Sequence, residues 1–366
     1  MSFEPKTRSN NNNRLLIIGG YGQVGQIVAA QLAPLFPSSV VVAGRNLEKA
    51  NTAASEIGYG AEAQAIDLFA TYSKDALLDI ALVIVCLDQT DTRFVEQCLM
   101  HGIHYVDISA NYDFLSQIDR LDDLALTNNA TVILSVGVAP GLTNMLARRV
   151  SEQMESIDQI DIVLEFGLGD HHGQAAVEWM FDNLDVAYTV QENGQPISVR
   201  SFSESIDIGL PGQDIERPAY RFNFSDQHVI RHTLNVPTVS TWVRFDDPIS
   251  TWLIAKLSQA GFGGLLKQGW GRAVAIWLLM NTHIGTNICG VAVQAKGKAK
   301  DGANTLTLGI IGQREALMTA VITAEIARQT LFAPPPPGVH HSEQVIYLDP
   351  VIASLRRELP DLVVAL

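Results

Sequence analysis

The chain has 366 residues, more than one hydrophobic core usually organises, so two domains are expected. An apolar fraction of 47% with a formal net charge of -14 fits a globular protein and argues against nucleic acid and anionic membranes as general partners. Cys86, Cys98 and Cys289 lack metal-like spacing, and Cys86 and Cys289 sit in apolar runs, as buried free thiols of a reducing compartment do.

The opening stretch 1–13, MSFEPKTRSNNNN, has no apolar h-region and reads as a disordered lead-in to a cytoplasmic protein. Strand-like runs then follow: RLLIIG, SVVVAG, AEAQAI, ALVIVCL, HYVDIS and ATVILSVG. Helical patterns separate them at 23–33, 47–57, 72–79, 90–101 and 113–127. Strict alternation of strand and helix predicts right-handed βαβ units and a six-strand doubly wound parallel sheet ending near residue 140. Runs such as LVIVCL, apolar on both faces, fit strands covered on both sides.

Beyond that point the texture changes. IDQIDIVLEFGLG, AYRFNF, TVSTWVRF, ICGVAVQAKG and NTLTLGIIG predict a mostly antiparallel sheet, with helices at 175–185, 251–259, 264–280 and 314–329. The stretch 261–280 is apolar but interrupted by Lys267 and Arg272, too short a clean run to span a bilayer. FAPPPPGVHHSEQ reads as a stiff linker. LDPVIASLRREL then reads as a helix with Asp349 as N-cap.

Gly20, Gly22 and Gly25 stand as G-x-G-x-x-G between a strand and an amphipathic helix, the context in which this spacing carries meaning. The first glycine allows the turn, the second a close diphosphate and the third a close helix. Gly20, Tyr21, Gly22, Gln23, Val24 and Gly25 are therefore the expected diphosphate cradle of a Rossmann domain. At the end of the second strand no acid is present to bond a ribose 2'-hydroxyl. Arg45, Asn46 and Lys49 stand there instead, which favours NADP(H) over NAD(H). Asp67, after the third strand, is expected beside the adenine or as a cap.

With these pieces in place, the chain resembles the saccharopine dehydrogenase/reductase-like family of NADP-linked oxidoreductases. The matching stretches are IIGGYGQVGQ, VVAGRNLEKA, GIHYVDIS and VGVAPGLTNMLA, with PPGVHHSEQ and LDP near the C-terminus. The resemblance implies an N-terminal Rossmann doubly wound parallel sheet and an α+β second domain, with a C-terminal segment returning to the Rossmann side. It also implies a homodimer, and hydride transfer at a carbon bearing nitrogen. The expected bounds are 14–145, 146–332 and 333–366. Members acting on amino-acid adducts often read G-x-D-P-G, whereas this chain reads Gly137-Val138-Ala139-Pro140-Gly141, without the acid.

In an open α/β sheet, ligands lie beyond the carboxyl ends of the strands. Cys86, Leu87 and Asp88 are expected near the nicotinamide ribose, with Asp107, Ser109 and Gly137 following; Ser109 and Asp107 equally suit a cap and a buried acceptor. Candidate proton donors are Asp107, Tyr112 and His171, with Glu165, His172 and Glu178 behind them. Arg231 and His232 suit a substrate carboxylate or a solvated strand face. No metal site is expected. The leading reading is an NADP(H)-dependent oxidoreductase of a small molecule held in an interdomain cleft. The alternatives are a catalytically silent NADP(H)-binding sensor or scaffold, and a membrane-associated reductase of a lipophilic substrate docking through 261–280.

Overall fold

The computed structural model describes residues 13–69, 74–171, 173–184, 186–213, 215–261, 272 and 285–366. They divide into two compact units, Met1–Gly137 with Thr319–Ser354, and Val138–Met318 with Leu355–Leu366.

The first unit is built on β1 (Arg14–Ile18), β2 (Val40–Gly44), β3 (Glu62–Ala65), β4 (Ile80–Val85), β5 (His104–Asp107) and β6 (Thr131–Leu134). A further strand from far down the chain, β15 (Gly338–His341), completes a seven-stranded, wholly parallel sheet in the order β15-β6-β5-β4-β1-β2-β3. Val40, Val41 and Val42, like Leu82, Val83, Ile84 and Val85, are fully buried, as β-branched runs covered on both faces must be. Helices α1 (Gln23–Leu32) and α2 (Leu47–Ile57) follow the first two strands. Strand order reverses at β1, between β2 and β4.

Several local expectations need correction. Of the helix expected at 72–79, residues 72–73 lie outside the described residues, a 3-10 turn occupies Lys74–Leu77, and Leu78 and Asp79 turn into β4. The helix expected at 113–127 is two, Tyr112–Asp119 and Asp122–Thr127, because the Leu121 N–H turns back to the Ile118 carbonyl at 2.8 Å and tightens the last turn.

The stiff linker ends sooner than expected. The prolines have no N–H to give, yet the Pro335 and Pro336 carbonyls accept from the Thr131 hydroxyl at 3.2 and 3.3 Å. From Gly338 the backbone can donate again, and it pairs with β6. His341 locks this strand in place. Its Nδ1 lies 2.8 Å from the Ser135 hydroxyl and its Nε2 lies 3.2 Å from Asp119. The last long helix begins at Leu348, so Asp349 lies inside its first turn; the Gln329 amide takes the Tyr347 N–H at 3.0 Å in place of a local cap.

The second unit carries β7 (Met154–Phe166), β8 (Ala187–Glu192), β9 (Gln195–Arg200), β10 (Ser205–Ile208), β11 (Arg217–Arg221), β12 (Thr238–Phe245), β13 (Ile288–Ala299), β14 (Thr305–Gln313) and β16 (Val363–Ala365). Its main sheet runs β10-β11-β12-β7-β13-β14-β16, antiparallel throughout except for the β12–β7 pair. β8 and β9 form a separate hairpin turned by Asn193-Gly194, both with positive φ. Arg231 and His232 belong to the last turn of a helix, Ser225–Thr233, rather than to a strand; basic groups suit the negative end of a helix. Apart from Gly261 and Arg272, the expected helix at 261–280 lies outside the described residues.

Glu165, on β7, faces Arg244 in register on β12, and both are enclosed. Its carboxylate accepts from Arg244 and Arg217, while Arg244 also donates to the Ile208 and Arg217 carbonyls. A buried cation left without its counter-charge is costly. Glu165→Ala is expected to destabilise the protein by about 3–5 kcal/mol in denaturant unfolding; a loss below about 1 kcal/mol would contradict a structural ion cluster.

Candidate nucleotide site

The turn after β1 is held from below. The Gly19 and Gly20 N–H groups both donate to the Ala43 carbonyl of β2, at 2.9 and 3.1 Å, and the Gly22 N–H closes on the Gly19 carbonyl at 2.8 Å. Gly22 is the N-cap of α1. As a glycine it offers no capping side chain, and no acid stands in the first turn of the helix, so its positive end is uncompensated by either. Gln23 and Val24, the first residues of the helix, complete that end.

The three motif glycines have different causes. A Cβ at Gly25 would lie 2.3 Å from the Gly19 carbonyl oxygen, and one at Gly20 would lie 2.8 Å from that of Ile17. Packing within the protein forbids both. At Gly22 the added atom would meet only the Gly19 carbonyl oxygen, at 3.1 Å, and the backbone angles, φ -78 and ψ 170, suit any residue. That contact is tight, but the protein's own packing constrains Gly22 less than Gly20 or Gly25. Gly22 is the place where a diphosphate needs an open approach.

Tyr21 joins this turn to the next one. Its ring fills the space above Gly44, where a Cβ would come within 2.5 Å of it, and its hydroxyl accepts the Asn46 N–H at 3.2 Å. Asn46 is the N-cap of α2; its side chain accepts the Lys49 N–H at 3.0 Å and is engaged in that role. Arg45 and Lys49 are exposed, and their side chains form no hydrogen bond or ion pair among the described residues. Two cations without a partner among the described residues thus flank this helix start; no acid ends the strand, and the one acid of the first helical turn is the exposed Glu48. Exposed cations at the strand end suit a 2'-phosphate. Asp67 uses its carboxylate to accept the Phe69 N–H at 3.1 Å, shaping its own loop.

At the carboxyl ends of β4 and β5 the groups are more enclosed. The Cys86 N–H donates to the Ile18 carbonyl at 2.9 Å, and burial, with Asp107 adding, pushes its thiol up to about 12, far from a thiolate nucleophile. Leu87 packs on the sheet core, whereas Asp88 is exposed.

Asp107 is fully buried. One carboxyl oxygen accepts from the Tyr105 hydroxyl at 2.7 Å and the Gln89 amide at 2.8 Å; the other accepts the Ser109 N–H at 2.7 Å. Burial pushes this carboxyl up to about 7, against the hydrogen bonds of Tyr105, Ser109 and Gln89 and with the Asp88 charge adding to the rise. Ser109 is not the cap of the next helix. Asn111 is, accepting the Asp113 and Phe114 N–H groups at 3.0 and 3.3 Å. Tyr112 opens that helix, half-exposed, and Gly137, with φ +132, ends the first unit's leading segment.

The other expected proton donors belong to the second unit. His171 is exposed; its N–H donates to Asp170 at 2.8 Å. The other Asp170 oxygen accepts the Glu315 N–H at 2.8 Å, at the start of the helix Glu315–Phe332. His172 lies outside the described residues, and Glu178 is half-buried on the helix Gln174–Asn183. Among the described residues no group of three or more His, Cys, Asp or Glu could hold a metal ion. Sequence reasoning missed Gly19, Gln89 and Tyr105. Gly19, adjoining the motif with φ +75, had a legible signal. Tyr105 reaches Asp107 from two residues earlier on the same strand, a spacing that was legible, whereas Gln89 reaches it because strand pairing sets Val85 beside Asp107.

The family model for the saccharopine dehydrogenase NADP binding domain matches residues 15–133. Residues 15–133 form a saccharopine dehydrogenase-type NADP-binding domain. Such a domain is the nucleotide half of an NAD(P)-dependent oxidoreductase. The fold is similar to that of saccharopine dehydrogenase (L-Glu forming) from Saccharomyces cerevisiae, with TM-score 0.65 and 14% identity over 97% of this chain and 100% of that one. An amine dehydrogenase from Mycobacterium smegmatis covers 92% of this chain and 97% of its own at TM-score 0.46 and 12% identity. A DAP dehydrogenase from C. glutamicum covers 94% and 99% at TM-score 0.44 and 15% identity. These last two likenesses are too loose to bear on this chain. No curated protein sequence matches it.

The glycines separate folding from binding. Gly25→Ala is expected to destabilise the nucleotide-free protein by about 1–3 kcal/mol or more through overpacking. Gly22→Val should leave stability within about 1 kcal/mol and abolish NADPH binding. A folded Gly22→Val protein with unchanged NADPH affinity would remove the cradle.

Proposed function

We propose that the chain is an NADP(H)-dependent oxidoreductase that moves a hydride to or from a carbon bearing nitrogen in a small molecule. The observation that carries this reading is the start of α1 with a glycine at its N-cap and a bare backbone at Gly22, beside Arg45 and Lys49, exposed and without a partner among the described residues. Bound NADP(H) supplies or accepts the hydride at its nicotinamide ring.

In this reading Gly20, Tyr21, Gly22, Gln23, Val24 and Gly25 hold the diphosphate. Arg45 and Lys49 grip the 2'-phosphate, with Asn46 fixing the turn that carries them and Asp67 bounding the adenine side. Cys86, Leu87, Asp88, Ser109 and Gly137 line the nicotinamide end. Asp107, sealed beneath that end, acts through its neighbours by fixing the Ser109 backbone. Tyr112 and His171 are the proton-donor candidates with exposed surface. A homodimer is part of the same proposal.

One observation favours a second reading, an NADP(H)-binding protein without turnover: the most perturbed carboxyl near the cradle, Asp107, is enclosed. NADPH oxidation over a panel of imines, and of ketones with ammonia, separates the two. Turnover supports the enzyme, and tight binding with none throughout supports the silent binder. For the cofactor end, Arg45→Ala is expected to weaken NADPH binding by about 1.5–3 kcal/mol, the worth of a charge-assisted contact, and to leave NADH binding unchanged. Equal losses for both cofactors would remove the 2'-phosphate role.

A further inference from the structure

The helix Pro248–Gln259 is built inside out. Its buried residues are Thr251, Ala255 and Ser258, all small. Four of its five large apolar residues face outward: Ile249 is 73% exposed, Trp252 54%, Leu253 48% and Leu257 37%, while Ile254 is half-buried. At helical spacing these four form one stripe opposite the buried side. Single exposed apolar residues are ordinary, but a contiguous face of them marks an interaction surface.

The charge of this region departs from that of the chain. No Asp or Glu occurs between Pro248 and Lys300, although the chain has 39 acidic residues. The sequence 248–287 carries Lys256, Lys267 and Arg272, and three of the chain's five tryptophans, Trp252, Trp270 and Trp277. Lys256 falls within the exposed stripe, where its stem can lie along apolar surface and its ammonium can reach outward. Aliphatic residues, tryptophan and lysine on one face form the composition of a helix lying in a membrane interface. No helix among the described residues is long and apolar enough to cross a membrane, so the contact argued for is peripheral.

We propose that this face docks on a phospholipid bilayer, with Ile249, Trp252, Leu253 and Leu257 entering the headgroup boundary and Lys256 meeting lipid phosphates. Charge decides between this occupant and a second copy of the chain. Across a two-fold interface the stripe would meet itself, setting Lys256 near its own copy, while the acids at the helix start are already engaged, Asp247 by Ser250 and Asp246 by the Leu168 and Thr286 N–H groups. Lipid phosphates supply that counter-charge. With the chain as a whole strongly anionic, apolar insertion rather than long-range attraction holds the protein on the bilayer, so binding survives raised salt.

The test uses the full chain and phosphatidylcholine vesicles with a minor phosphatidylserine fraction, read by co-sedimentation and tryptophan emission. The wild-type protein is expected to pellet with the vesicles and to shift its emission to the blue. The double variant Ile249→Glu with Leu253→Glu, at exposed positions, should keep its melting temperature and NADPH affinity and lose roughly tenfold or more in vesicle partition. Trp252→Phe should keep most of the binding. Wild-type protein left in the supernatant overturns the proposal, as does a double variant that pellets equally well. If the wild type stays in solution and the double variant turns a dimer into a monomer, the face belongs to a second copy.

Discussion

The contact between the Gly25 backbone and the Gly19 carbonyl fixes where α1 begins, and the nucleotide site depends on that point. With no side chain between them, the helix start lies against the end of β1, at the place where strand order turns from β2 to β4. Two N–H bonds to the Ala43 carbonyl brace the turn on β2. Tyr21 then carries the bracing to the start of α2, through the bare face of Gly44 and the Asn46 N–H. The turn proposed for the diphosphate and the turn proposed for the 2'-phosphate are therefore braced against each other by the protein's own contacts.

A chain of net charge -14 that binds a polyanionic cofactor has to separate its charges locally. Near the cradle this is done by use rather than by removal. Asp67 is spent on its own loop, and Asp107 is sealed among three donors that share its charge. Arg45 and Lys49 remain exposed and have no partner among the described residues. The resulting attraction works at short range and is sensitive to salt.

Much of this was legible in the sequence where one physical cause acts alone. Strands covered on both faces read as unbroken β-branched runs, which exposed β2 and β4, and TVSTWVRF became β12 residue for residue. The motif glycines showed themselves because turn and helix packing admit nothing larger. Elements decided by distant partners were hidden. GVHH carries no alternation, and it is a strand because β6 offers it an edge. Gln89 joins Asp107 only through sheet register. The Asn193-Gly194 hairpin did carry a strong local signal, overlooked among its polar neighbours. For the helix Pro248–Gln259, periodicity reveals an apolar face but not which side of the helix the core takes.

The central claim is that the open helix start and its neighbouring cations were shaped for a dinucleotide with an extra phosphate. Calorimetric titration of the folded chain with NADPH and with NADH, at one salt concentration, tests it most directly. The account predicts saturable heat from NADPH with a dissociation constant roughly tenfold or more below that for NADH, the worth of one charge-assisted phosphate contact. Silence from both dinucleotides, or equal affinity for the two, would contradict it.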